Sequence, residues 1–139
     1  MTEPTKEQQQ VFWEWCGFKH GVPELARQLL KIKNRQYINV STTYPEKFLK
    51  EQWYIPGVYC GEMPDVDLDN LVTYAVPKVI CTDGYSLHLI YNVSHCEAHI
   101  QPHYAELKFY SASDKDLAHA LFWVLDQVRQ DEEVKDNGK

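Results

Sequence analysis

From Lys78 onward apolar and polar residues alternate with a period of two, in the segments "KVICT", "SLHLIYN", "HCEAHIQ" and "AELKFYS", with turn-forming residues between them. That period sends successive side chains to opposite faces of a strand, so it restricts this part of the chain to a sheet with one oily face. It predicts an antiparallel meander of four strands over about residues 78–111. Asp83-Gly84 is a tight-hairpin dipeptide between the first two strands. The segment "SDKDLAHALFWVLDQVR" then switches to helical spacing, with Leu117, Leu121, Leu125 and Val128 in one stripe and Ser113 with Asp116 resembling a capping box. This C-terminal helix is expected to pack on the sheet.

Upstream, the pattern is helical. Val11, Phe12, Trp15 and Cys16 share a helix face, with Pro4 suited to a first turn and Gly17 to a stop. "VPELARQLLKIKN" predicts a second amphipathic helix, with Leu25, Leu29 and Ile32 inward, Arg27, Lys31 and Arg35 outward, and Asn34 at its end. A short strand in "QYINVSTTYP" and a helical turn in "PEKFLKEQW" follow. "DVDLDNLVTYAVPKV" predicts a short helix capped by Asp67, with Leu68, Leu71 and Ala75 inward and Pro77 ending it. The class is α+β: N-terminal helices, then the four-stranded sheet, then the C-terminal helix. One domain over residues 1–130 is expected, followed by an acidic, frayed tail at 131–139.

The four cysteines form no C-x-x-C pair, which excludes a zinc ribbon or a thioredoxin-like motif. With no signal-peptide pattern and no apolar run of membrane-spanning length, a cytoplasmic protein is expected, without a membrane partner. The net charge of −6 disfavours general nucleic-acid binding, whose affinity comes mainly from neutralising phosphates. Yet residues 19–50 hold Lys19, Arg27, Lys31, Lys33, Arg35, Lys47 and Lys50 against only Glu24 and Glu46. This cluster is either a solvated basic helix face or a local anion site.

His95, His99 and His103 recur every four residues, the spacing of a helical metal site. On a strand, four residues span about 13 Å, far too wide for one metal ion. Pairing the apolar faces of neighbouring strands instead sets His88 opposite His99. The next strand, with Ala105, Leu107 and Phe109 inward, sets Glu106 opposite His99, Lys108 opposite Glu97 and Tyr110 opposite His95. The row His88, His99, Glu106 suits an ordinary hydrogen-bonded polar face, a ligand-binding face, or a metal-bearing hydrolytic site. Trp53 and Tyr54, beside "IPG", offer a stacking edge, although Trp13, Trp15, Phe122 and Trp123 belong with the core. "DVDLDN" begins like a calcium loop but has Asn70 where glycine and Val76 where glutamate are needed. No glycine-rich phosphate loop, nucleophile elbow or H-E-x-x-H occurs.

Three segments together, "FWEWCGF", "WYIPG" with "MPDVDLDNLVTYAVPK", and "SDKDLAHALFWVL", resemble small proteins of tailed bacteriophages and prophages that carry an alpha/beta/alpha (ABA) sandwich domain. The resemblance spans about residues 15–18, 53–80 and 105–128. It implies a phage origin, hence the host cytoplasm, but no established chemistry. No catalytic residue, metal or cofactor is assigned, and the reading leans away from an enzyme. It points to an anti-defence accessory that sequesters a nucleotide-derived host signal, as a monomer or homodimer. The residues assigned to that ligand are Lys31, Lys33 and Arg35 for phosphate, Trp53 for stacking, and the face of His88, His99, Glu106, Lys108 and Tyr110. The alternatives are an inhibitor that binds a host protein and a metal-dependent hydrolase or phosphodiesterase.

Overall fold

The computed structural model describes residues 3–23, 50–80 and 84–137. The chain divides into two compact units, Met1–Cys16 with Pro64–Lys139, and Gly17–Met63. The expected second helix, the strand in "QYINVSTTYP", and with them Lys31, Lys33 and Arg35, lie outside the described residues.

The larger unit begins with helix α1, Lys6–Trp15. Thr5 and Gln8 form a reciprocal cap: the Gln8 N–H donates to Thr5 Oγ1 at 3.2 Å, and the Thr5 N–H to Gln8 Oε1 at 2.9 Å. Phe12 and Trp13 are buried, while Val11 is exposed, so the buried face is rotated from the predicted stripe.

Asp67 caps the next helical run as expected, its carboxylate accepting from the Asn70 N–H at 2.8 Å. The run comprises α2, Leu68–Asn70, a π-helical turn, Leu71–Ala75, and α3, Val76–Ile80. Pro77 therefore does not end it, and the expected strand "KVICT" is helical as far as Ile80. The wide turn explains how: the Val76 N–H reaches back five residues to Leu71 O, breaking the four-residue register that the proline ring would obstruct. Leu71, Ala75 and Val79 are all buried, one helical face running straight across the proline.

Among the described residues three strands follow in place of the expected four: β1, Tyr85–Tyr91, β2, Cys96–Pro102, and β3, Tyr110–Asp114, antiparallel in that order. Cys81, Thr82 and Asp83 lie outside the described residues, and with them the expected hairpin dipeptide; at Gly84 a Cβ would stand 2.8 Å from Leu107 Cδ1, so a larger residue there requires the leucine side chain to shift. The β1–β2 register agrees with the expectation, pairing His88 with His99 and Leu89 with Ala98. Cys96, Ala98 and Ile100 are buried and alternate with more accessible neighbours. The last strand is displaced from the expected 104–110 to Tyr110–Asp114. Residues 105–109 alternate as well as a strand, but the Leu107 N–H bonds back to Tyr104 O at 3.1 Å in a turn, and Tyr110 and Ala112 supply the buried positions instead.

Helix α4, Leu117–Asn137, continues through the acidic segment. Its cap is Asp116 alone, which accepts from the His119 N–H at 3.1 Å; Ser113, expected in a capping box, lies in β3. One side of α4 packs on β2 and β3, the other on α1 and the 68–80 run. Lying between two layers, it buries Ala120, Leu121, Phe122, Val124, Leu125 and Val128, more of its circumference than the predicted stripe.

The smaller unit holds a second antiparallel sheet, β4 (Lys19–Gly21), β5 (Gln52–Ile55) and β6 (Tyr59–Gly61). Gln52 and Trp53, expected in a helical turn, are in a strand. Pro56 and Gly57 make the β5–β6 turn, closed by the Val58 N–H on Ile55 O at 3.0 Å, with Gly57 at the positive φ of 74° that such a turn requires. Phe18 is buried edge-on against Tyr59 at 5.4 Å. Among the described residues no helix is long and apolar enough to cross a membrane.

Candidate functional site

The polar face of the larger sheet carries the histidines. His88 and His99 are directly paired across β1 and β2, and their side chains share a face. Opposite His99 on its other side stands Ser111, not Glu106, and opposite Glu97 stands Ser113, not Lys108. Tyr110 faces Ile100 instead of His95. Glu106 is exposed in the connection before β3. Each imidazole finds a partner along its own strand: His88 Nε2 lies 3.1 Å from Ser86 Oγ, and Glu97 stands between His95 at 3.5 Å and His99 at 3.4 Å. The His99 ring also meets Phe109 edge-on at 5.5 Å. Among the described residues, no group of three or more His, Cys, Asp or Glu side chains could hold a metal ion.

Lys108 and Tyr110 do come together, on a residue the sequence reading omitted. Both donate to Asp131 Oδ2, Lys108 Nζ at 2.8 Å and the Tyr110 hydroxyl at 2.9 Å, tying the start of β3 to α4. The Lys108 bond, helped by Tyr110, holds the Asp131 carboxyl below the usual carboxylate range. Burial first, and the Asp131 hydrogen bond second, push the Tyr110 phenol well above its ordinary value. A phenol held neutral and an ammonium matched by a carboxylate make a clamp between the start of β3 and α4, with the Lys108 side chain still 64 % exposed.

A cavity of about 500 Å³ opens in the smaller unit, of the size that takes small molecules. Strand pairing creates it. Trp53 has His20 on one side and Gly61 on the other. The glycine projects nothing on the face where the indole lies, which leaves room beside it. His20 rests on the Trp53 ring at a centroid distance of 5.3 Å, and Lys50, Glu51 and Glu62 complete a rim of one ammonium and two carboxylates. Trp53 itself is 92 % covered, at 8 % exposed, so the ring offered to a visitor is His20, with the indole as its backing. No family model, curated protein or solved structure matches the chain. Of this cavity the sequence reading had singled out Trp53 for stacking and counted Lys50 only within the basic cluster. His20 gave no local signal, because β4 is three residues long and its place beside Trp53 is set by pairing across more than thirty residues of chain.

The thiols outside this cavity differ sharply in environment. Burial pushes the Cys16 thiol up to about 12, with Lys78 opposing only in part, whereas Cys60 is exposed and Cys96 is buried. Since the thiolate is the reactive form, iodoacetamide at pH 8 is expected to label Cys60 ahead of Cys16 and Cys96. Peptide mapping by mass spectrometry reads this, and early labelling of Cys16 would contradict the described packing around it.

Proposed function

We propose that this is a non-enzymatic binding protein for a small aromatic ligand of nucleotide type, acting as a phage-type accessory that sequesters a nucleotide-derived host signal. The phage setting and the host signal come from the resemblance in sequence; the cavity beside Trp53 is the observation that supports the ligand. His20, tilted 50° against the Trp53 ring, provides an aromatic surface for a base, Lys50 provides one positive charge, and Glu51 and Glu62 accept hydrogen bonds from sugar hydroxyls or exocyclic amines. One ammonium against two carboxylates favours a nucleoside or a mononucleotide over a polyphosphate.

A thermal-shift panel of nucleosides and of linear and cyclic nucleotides tests the reading. A true ligand at 100 times its dissociation constant adds about 2.7 kcal/mol of stability. His20→Ala is expected to weaken binding about tenfold through the lost stacking, and Lys50→Glu to weaken phosphorylated ligands while sparing nucleosides. A panel that leaves the melting temperature unmoved removes this reading. Ligand recovered chemically altered after incubation and heat denaturation would instead restore the hydrolase alternative, which no metal-holding group supports among the described residues.

A second reading, inhibition of a host protein through a surface contact, draws on the hairpin of β1 and β2. Leu89, Ile90, Tyr91 and Val93 are exposed there within five residues.

A further inference from the structure

The two edges of the larger sheet are treated differently. On β3 the outward carbonyl of Ser111 accepts from Gln127 Nε2 of α4 at 2.8 Å, which takes up one acceptor of that short edge. On β1, among the described residues, no strand lies beyond it. The ends of the β1–β2 ladder fix its hydrogen-bond phase: the Asn92 N–H bonds to His95 O at 2.9 Å and the His103 N–H to Gly84 O at 2.7 Å. With the register of the pair, this means that Ser86, His88 and Ile90 bond to β2, while Tyr85, Leu87, Leu89 and Tyr91 turn their N–H and C=O groups outward. Edge strands normally carry a charge, a proline, a bulge or a cover against pairing. The strand "YSLHLIY" holds no Asp, Glu, Lys, Arg, Pro or Gly.

We propose that this edge pairs antiparallel with the same edge of a second copy, about a two-fold axis at His88, joining two three-stranded sheets into one of six strands. The outward-facing residues then meet only one another: Leu87 lies opposite Leu89 of the second copy, and Tyr85 opposite Tyr91. Each such pair exchanges two backbone hydrogen bonds, about eight in all. No other register centred on this strand engages all seven residues and matches leucine with leucine and tyrosine with tyrosine. Tyr91, 81 % exposed, and Leu89, 39 % exposed, gain cover from these pairs. The strand carries no charged side chain, so two copies of a chain of net charge −6 can meet along it without setting like charges opposite one another. Because both copies use the same edge about a two-fold axis, the contact is isologous and closes at two subunits. The proposal is independent of the ligand cavity.

Sedimentation equilibrium over about 1–200 µM, the range of small interfaces, is expected to give twice the 16.3 kDa of one chain at the upper end. Leu89→Pro deletes an outward N–H without touching the β1–β2 ladder, and Leu89→Lys sets an ammonium opposite Leu87; both are expected to give monomers with unchanged far-ultraviolet circular dichroism. Register is read separately, without depending on either variant. In a Cys60→Ser background, His88→Cys is expected to form an intermolecular disulfide under mild oxidation, because the axis brings that residue against its own copy. Ile90→Cys is not expected to, since it faces Ser86. A monomer at every concentration, a dimer untouched by both Leu89 variants, or cross-linking at 90 in place of 88 overturns the proposal. A monomer that takes up a β-strand peptide of another protein at this edge also overturns it and supports the host-protein reading.

Discussion

Phe122→Ala is expected to cost about 3–5 kcal/mol of unfolding free energy. Phe122 is completely buried where α4 meets α1, its ring 4.5 Å from Phe12 and 5.0 Å from Trp123. Truncation removes apolar surface from the core and leaves a void that flanking aromatic rings, themselves held by packing, cannot fill. Urea denaturation followed by tryptophan fluorescence and circular dichroism measures the loss. Val134→Ala, on an exposed turn of the same helix, serves as the control and should stay within about 0.5 kcal/mol. A loss below about 1 kcal/mol at Phe122 would mean that α4 does not sit between the sheet and the N-terminal helices.

Arg129→Leu should be comparably damaging, about 3–5 kcal/mol, for an electrostatic reason. Asp126 and Arg129 are the buried charged pair of α4. Arg129 Nε donates to Asp126 Oδ1 at 2.6 Å and its Nη1 to Glu133 Oε1 at 2.7 Å, while Gln130 Nε2 donates to the second Asp126 oxygen at 2.8 Å. Burial by itself would lower the guanidinium pKa, but the hydrogen bonds and charges of Asp126 and Glu133 outweigh it and raise the value. Losing the guanidinium strands a carboxylate in the interior with only Gln130 to satisfy it. The double variant Asp126→Leu/Arg129→Leu is expected to recover most of the loss, because no charge is then left desolvated. If the double variant proves less stable than Arg129→Leu, the pair stabilises through something other than mutual compensation.

The histidine pairing shows how far local pattern reaches. Hairpin strands joined by a short turn are specified by alternation, and matching Leu87, Leu89 and Tyr91 to Ile100, Ala98 and Cys96 placed His88 opposite His99, as observed. The following strand carried two competing alternations, at Ala105, Leu107 and Phe109 and at Tyr110 and Ala112. Only burial against α4 selects between them, and with the wrong choice Glu106 entered a row to which it does not belong. Asp131, the partner of Lys108 and Tyr110, was hidden for a related reason: an acid in an acidic helical end looks like any solvated acid until the fold brings a β3 lysine to it.

What the chain's own pattern determined is the set of interactions between near neighbours: the Asp67 cap, the register of the β1–β2 hairpin, the buried alternation of Cys96, Ala98 and Ile100, and the apolar stripe of α4. These follow from dihedral preferences and side-chain periodicity, which act over a few residues. Tertiary structure alone decided that helix continues past Pro77, that β3 starts at Tyr110, and that His20 backs onto Trp53 beside a glycine. The first two are decided by burial against residues distant in sequence, where removing apolar surface from water outweighs the local preferences that opposed it, and the third by strand pairing across more than thirty residues of chain.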